Sequence, residues 1–340
     1  MGGSRWSDED YNLSVGSKLD SHGTAFTYDA DVKAAKVAAA VAPKLDPKSM
    51  KSNPLDPSGI KVRESRDSDA HPNSKGVIVG LDVTGSMGEQ SHIVHGRLSA
   101  LMGLLTRKGY LEDPQILYAA VGDAFSDRAP LQLGQFESGV EMEDDLSKFW
   151  IEGGGGGSSQ ESYELLMYFA ARHTAMDCLE KRGKKGYFFL IGDESPYDKV
   201  SAAAVKKVFD IDLQADISTD EIVKELKEKF ECFFILPARA SNAGDTKMRA
   251  RWKELFGAQH FLVIDESDGT AQLIATQIGL VEGNTDVDSV VKDMKDVGTS
   301  DSTAMVVANS VSKAYAGGAL AKVPAGTLAP SDGGSAVKRL

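Results

Sequence analysis

Three oxygen-bearing side chains stand at alternate positions in the stretch from Gly76 to Gly88: Asp82, Thr84 and Ser86. An apolar run, Val77 to Leu81, leads into them, and an amphipathic pattern follows Gly88. A carboxylate and two hydroxyls on one loop are hard donors. They suit Mg2+, Mn2+ or Ca2+ rather than zinc or copper. A second acid, Asp193, follows another apolar run, Tyr187 to Ile191. Between the two lie five glycines, Gly153 to Gly157, then Ser158, Ser159, Gln160 and Glu161. Asp123 and Asp127 follow a third apolar run, Ile116 to Val121.

These runs are short and nearly all apolar, as in strands covered on both faces by helices. Helical patterns separate them. Val94, Leu98, Leu101 and Leu105 make one apolar face of a helix that Gly109 ends. Leu131 to Phe136 comes so soon after the strand before it that the two must run antiparallel, at an edge. A short acidic helix over Glu141 to Trp150 precedes the glycines. A long helix from Glu161 to Leu179 follows them, with Glu161 favouring the positive end of its dipole or, alternatively, lining the rim of the site. Ser195 and Pro196 read as the N-cap and first residue of a helix reaching Phe209. Thr219 to Phe230 is helical, with Ile222, Leu226 and Phe230 on one face. Strands at Cys232 to Leu236 and Phe261 to Ile264 alternate with helices at Lys247 to Phe256 and Thr270 to Val281.

This alternation predicts an α/β fold: a doubly wound, mostly parallel, Rossmann-like sheet with one antiparallel edge strand. The carboxyl ends of parallel strands share one edge, where open α/β sheets place ligands. Asp82 and Asp193 are therefore expected to meet there. The glycine run lets its loop reach the same face at little steric cost. Asp123 and Asp127 would line the rim of that face or simply close a turn.

The core domain is expected over residues 75–283. Residues 1–74 read as an arm and wrapping segment: a loosely held start over 1–28, a short helix at Asp29 to Ala42, and a proline-containing stretch to Ser74. Within it the mixed-sign run Arg63 to Asp69 reads as a solvated loop, with an ion-pair strap close to the site as the alternative. Residues 284–340 read as a helical fragment followed by a flexible tail.

Hydrophobic residues make up 41% and charged residues 26% of the 340, as in a globular protein. The net charge of −12 argues against general nucleic-acid binding, which needs a basic surface. No apolar run approaches the ~18 residues of a membrane span. The start of the chain lacks a basic, then apolar, secretory pattern, so a cytoplasmic location is expected. The two cysteines, Cys178 and Cys232, are expected to be buried free thiols.

The loop Asp82-Val83-Thr84-Gly85-Ser86-Met87-Gly88, the later glycine loop and the strand end Ile191-Gly192-Asp193 resemble the von Willebrand factor A (vWA) domain family. The resemblance covers roughly residues 75–282. It implies a metal-ion-dependent adhesion site: an Asp-x-Ser-x-Ser element, a hydroxyl from a second loop and an Asp from a third. Thr84 stands in place of the first Ser. The second loop departs from the pattern, since neither the usual Thr nor an acid in its place is evident, and Ser158 or Ser159 is the candidate. What the resemblance implies is a Mg2+ ion (or Mn2+ or Ca2+) held by Asp82, Thr84, Ser86, Ser158 or Ser159, and Asp193. An Asp or Glu of a partner protein would complete the shell. The chain would then be a binding adaptor or scaffold, not an enzyme. Intracellular members of the family work beside AAA+ ATPases, which makes such an ATPase a candidate partner.

A hydrolase or phosphatase on the same fold is the rival. Ser86, Asp193 and His260 occur in the chain order of α/β-hydrolases, but Thr84 replaces the leading Gly of the nucleophile elbow. Haloacid-dehalogenase-like phosphatases need a second Asp where Thr84 stands. The glycine run is not followed by the Lys-Ser/Thr of a phosphate-binding loop. Asp82, Thr84 and Ser86 as a mere turn and N-cap would leave Asp193 and the glycine loop unexplained. His92 and His95 lack a third soft ligand for zinc, and His173 reads as a packed side chain.

Overall fold

The computed structural model describes residues 7–22, 27, 55–98, 100–151 and 159–316. The expected helix at Asp29 to Ala42, Ser158 and the tail beyond 316 lie outside the described residues. Six strands form the central sheet: β1 (Ser74–Asp82), β2 (Asp113–Val121), β3 (Leu131–Leu133), β4 (Gly186–Ile191), β5 (Phe230–Pro237) and β6 (Phe261–Ile264). Their order is β6-β5-β4-β1-β2-β3. All neighbours are parallel except β2 and β3, which pair antiparallel. The doubly wound sheet with one antiparallel edge strand is thus present.

Every residue of β1 and β4 is buried, because helices cover both faces. On one face Val77, Val79, Leu81, Phe189 and Ile235 pack with Val94, Leu98, Leu105, Ile274 and Ile278. On the other, Ile78, Phe188, Leu190 and Phe234 pack with Leu166, Phe169, Leu226 and Trp252. Alternate side chains along each strand feed opposite faces, so the continuous apolar runs are the direct consequence of two-sided burial. Cys178 and Cys232 are buried free thiols in this interior.

Several elements differ from the sequence reading. The first core helix is two, Glu89–Leu98 and Leu101–Arg107. Gly109, at φ +64°, provides the left-handed turn after the second. The long helix after the glycines starts only at Tyr163 and ends at Arg172; Thr174–Met176 is extended and pairs with Arg63–Ser65. Ser195 and Pro196 are not a cap but a short strand pairing with Gln160–Glu161. The cap is Ser201, whose side chain accepts the Ala204 N–H of the helix Ala202–Phe209.

Within the expected arm, Asp8–His22 is a helix. Lys18 pairs with Glu143 and Asp144, and the Ser14 hydroxyl donates to Glu143 at 3.1 Å. After residue 283 the described residues, to 316, are largely helical, in keeping with the expected helical fragment. Helices Val290–Asp296 and Asp301–Tyr315 bury Val290, Met294, Ala304, Val307 and Val311 in the same interior as β1. The run Arg63 to Asp69 is an ion-pair strap rather than a solvated loop, but it lies at the amino edge of the sheet. Asp67 there meets Arg182 at 2.8 Å and the hydroxyl of Ser74, the first residue of β1, at 2.7 Å.

Candidate metal centre

β1 ends on Asp82, in register with Val121 of β2, while Leu81 is in register with Ile191 of β4. Neighbouring strands lie about 4.8 Å apart, so the residues just beyond these ends are brought together. A single chain of contacts results. Asp82 Oδ1 accepts the Thr84 N–H at 2.8 Å and the Thr84 hydroxyl at 2.6 Å. The Thr84 and Ser86 hydroxyls are 3.3 Å apart. The Ser86 hydroxyl donates to Asp193 Oδ1 at 2.8 Å, and Asp193 Oδ2 accepts the Asn242 N–H at 2.9 Å. Asp82 and Asp193 are wholly buried and Thr84 nearly so; Ser86 is half-buried and Gly85 exposed, so the cluster opens to solvent over that turn.

Sequence reasoning missed four contributors. Tyr163 opens the helix after the glycine loop, and its hydroxyl donates to Asp82 Oδ2. Its ring is wedged 5.5 Å from Trp252 and 6.2 Å from Phe234, edge-on to both. A Cβ at position 192 would stand 2.2 Å from that hydroxyl, so Gly192 is the residue that lets tyrosine reach the aspartate. Glu194, directly after Asp193, accepts from the Asn242 side chain at 2.9 Å, and its backbone carbonyl accepts from the Trp252 indole at 2.8 Å. Asn242 itself comes from the loop after β5.

From the sequence Glu161 reads as a helix start, with a place on the site's rim as the alternative. It is instead buried in the short strand beside Ser195–Pro196, with its carboxyl close to that of Glu194. Ser159, the other described candidate of that loop, is exposed. Asp127 closes the turn after β2, accepting the Asp123 N–H at 2.7 Å. Asp123 faces the cluster: its Oδ1 accepts from the hydroxyls of Ser162 at 3.2 Å and Tyr197 at 3.1 Å.

The electrostatics follow from burial without protein cations. Burial pushes Asp82 up to about 7 against the opposing pull of its Thr84 and Tyr163 bonds. Burial likewise raises Asp193, Glu161, Glu194 and Glu164. The principal influences on these five carboxyls are burial, hydroxyl or amide bonds and neighbouring acids, Asp123 and Asp127 included, with no lysine or arginine among them. Glu161 and Glu194 each keep one buried oxygen, Oε2, without a hydrogen-bond partner. Buried acceptors left unpaired cost free energy, and unneutralised buried charges cost more.

This donor set fits a hard divalent cation. All its side-chain donors are oxygens, as Mg2+, Mn2+ and Ca2+ prefer. Among the described residues no three His, Cys, Asp or Glu side chains are placed to hold a metal ion together, so the oxygens at hand are two linked acids and two hydroxyls. The His92–His95 pair offers no zinc site: His92 is exposed, while His95 is buried with Nε2 2.7 Å from the Leu146 carbonyl.

No family model matches the chain, and no curated protein does. Among solved structures, the chain is similar to the open form of the pilus adhesin SpaC from Lactobacillus rhamnosus GG, at 9% identity and a TM-score of 0.43, over 64% of this chain and 31% of that one. It is similar to proximal thread matrix protein 1 from the mussel byssus, at 10% identity and a TM-score of 0.40, over 64% of this chain and 49% of that one. It is also similar to a von Willebrand factor type A protein from Catenulispora acidiphila, at 10% identity and a TM-score of 0.35, over 61% of this chain and 42% of that one. The chain thus spans between about a third and a half of each of these proteins. Likenesses this distant say nothing of activity, and the chemistry rests on the residues themselves.

Proposed function

We propose that the chain is a protein-binding module that captures a partner's carboxylate through a divalent cation at the carboxyl edge of its sheet. The observation that carries this reading is the gathering of buried oxygen donors with no lysine or arginine among them: Asp82, Asp193, Glu161 and Glu194 near the Thr84 and Ser86 hydroxyls, with one oxygen of each glutamate unpartnered. Thr84 and Ser86 would offer hydroxyl oxygens, and Asp82 and Asp193 would ligate directly or through water. Glu161, rather than Ser159, takes the second-loop role. The cation would supply neutralising charge and an open coordination position for a partner Asp or Glu. Tyr163 holds Asp82 Oδ2, and Asn242 holds Asp193 Oδ2, so both acids are oriented before any ligand arrives. An AAA+ ATPase presenting a carboxylate is one partner of this kind.

The hydrolase alternative needs His260 beside Ser86. His260 instead precedes β6, an edge strand three places from β1, with its ring 4.5 Å from Phe233. The test is affinity capture by the full chain with Mg2+, with chelator, and with Asp82→Ala. Capture should vanish in the last two. Partners retained through both would contradict the cation bridge, and ester or phosphate turnover lost with Ser86→Ala would favour the hydrolase.

A further inference from the structure

Four large apolar side chains are exposed among the described residues, and one of them, Phe125 at 62%, stands on the turn just beyond the end of β2, beside the oxygen cluster. The turn is firmly held. Asp123 Oδ1 accepts the Phe125 N–H at 3.2 Å, the Ser162 hydroxyl accepts the Ala124 N–H at 2.9 Å, and Asp123 O accepts the Asp127 N–H at 2.8 Å. The Phe125 ring meets Tyr197 edge-on at 4.9 Å, and the Tyr197 hydroxyl returns to Asp123. An aromatic this exposed, on a hydrogen-bonded turn, contributes little burial to the fold. It offers a preformed apolar contact with little ordering cost.

The charges around it are the opposite of those beneath. Lys207 is exposed and donates to the Ala124 carbonyl, directly behind Phe125. Arg128, three residues on, is exposed. Neither makes an ion pair among the described residues, although the chain is acidic overall and many of its other lysines and arginines are paired.

We propose that Phe125, Tyr197, Lys207 and Arg128 form a docking shelf for an acidic segment of a partner protein that carries a large apolar residue near its metal-binding carboxylate. The apolar side chain packs on Phe125 and Tyr197, and a further acid faces Lys207 and Arg128. A basic segment meets like charge there. This rests on the cation-bridge reading and adds the partner's flanking chemistry to it.

The test uses an array of immobilised peptides. Each holds one central Asp, and the flanking positions are varied among Gly, Phe, Leu, Asp and Lys. The full chain is applied with Mn2+ or EDTA, as wild type, Phe125→Ser, Arg128→Glu and Asp82→Ala. Peptides with one large apolar and one extra acidic flank should outrank the glycine-flanked peptide by roughly tenfold, the scale of a single aromatic anchor. Phe125→Ser should erase the apolar preference, and Arg128→Glu the acidic one, while Mn2+-dependent binding of the bare Asp peptide persists. An unchanged ranking in both variants, or no ranking at all, overturns the shelf. Binding indifferent to EDTA and to Asp82→Ala, with the ranking still sensitive to Phe125, overturns the bridge but keeps the shelf. A single-stranded oligothymidylate that binds the wild type and not Phe125→Ser, with no peptide preference, assigns the surface to nucleic acid instead and likewise overturns the proposal.

Discussion

The two edges of the sheet handle negative charge in opposite ways. At the amino edge, Arg66 bonds to Asp177 at 2.8 Å and Arg182 bonds to Asp67 at 2.8 Å, while Lys181 reaches both acids. The Arg182 guanidinium and the Ser74 hydroxyl hold Asp67 well below the usual carboxylate range. At the carboxyl edge five buried carboxyls are all raised, and no arginine or lysine is a principal influence on them. One edge is neutralised from within. The other has no such cation, and burial makes its acids hold their protons instead, which a bound cation would displace. Acid content alone does not separate the two edges; what separates them is whether arginine and lysine meet the acids.

The largest effect that can break this contrast is on cation affinity. Asp193→Ala should weaken Mn2+ binding by at least about 100-fold, and Glu161→Gln by about tenfold, the range of ligand and supporting-shell losses. Ser159→Ala should change nothing. Titration of the three variants checks the order, and a Ser159 effect exceeding that of Glu161 would return the second-loop role to the serine.

Stability sharpens the contrast next. A carboxyl raised in the fold binds its proton more tightly folded than unfolded. Stability from Asp82 therefore falls as pH rises from about 4 through about 7. In chelator, Asp82→Asn should be more stable than wild type at pH 8 by about 2 kcal/mol, with the gap closing towards pH 5. Asp67 has the opposite sign: its folded pKa is depressed, so its contribution is present above the unfolded value and lost as pH falls through the folded one. Asp67→Asn should therefore destabilise at pH 7 and become neutral in strong acid. Denaturant midpoints across pH would show the two variants moving in opposite directions.

Smaller effects separate the edges further. Arg182→Ala leaves Asp67 without its guanidinium and the Ser74 carbonyl without a donor. It should cost about 1 kcal/mol and leave cation affinity untouched. Phe125→Ser should alter stability by less than about 0.5 kcal/mol, since the ring is exposed. A larger loss in thermal unfolding would make Phe125 structural.

The convergence of Asp82, Thr84, Ser86 and Asp193 was legible because it follows from topology. Uninterrupted apolar runs separated by helical periods give a parallel sheet, and a parallel sheet puts strand ends on one edge. Glu161 was legible as a candidate rim residue, but its place in a strand was not. The pairing that removes it from the helix is two residues long and joins segments 35 residues apart, which no local period reports. Tyr163 was hidden for a related reason: its position on the helix reads as core, and only its hydroxyl reaches Asp82. The packing of Asp301–Tyr315 had a signal that composition obscured. Ala304, Val307 and Val311, spaced three and four apart, are an apolar face. The ion-pair strap was visible as charges, but not its place at the amino edge, because its partners Asp177, Lys181 and Arg182 lie more than a hundred residues on.

The most direct measurement is calorimetric titration of Mg2+ and Mn2+ into the chelator-stripped full chain, beside Asp82→Ala under the same conditions. The account predicts one saturable site for each metal in the wild type, proton release on binding at pH 7, and no heat of binding in the variant. Equal binding by both proteins, or none by the wild type at millimolar metal, would contradict a cation site at the carboxyl edge.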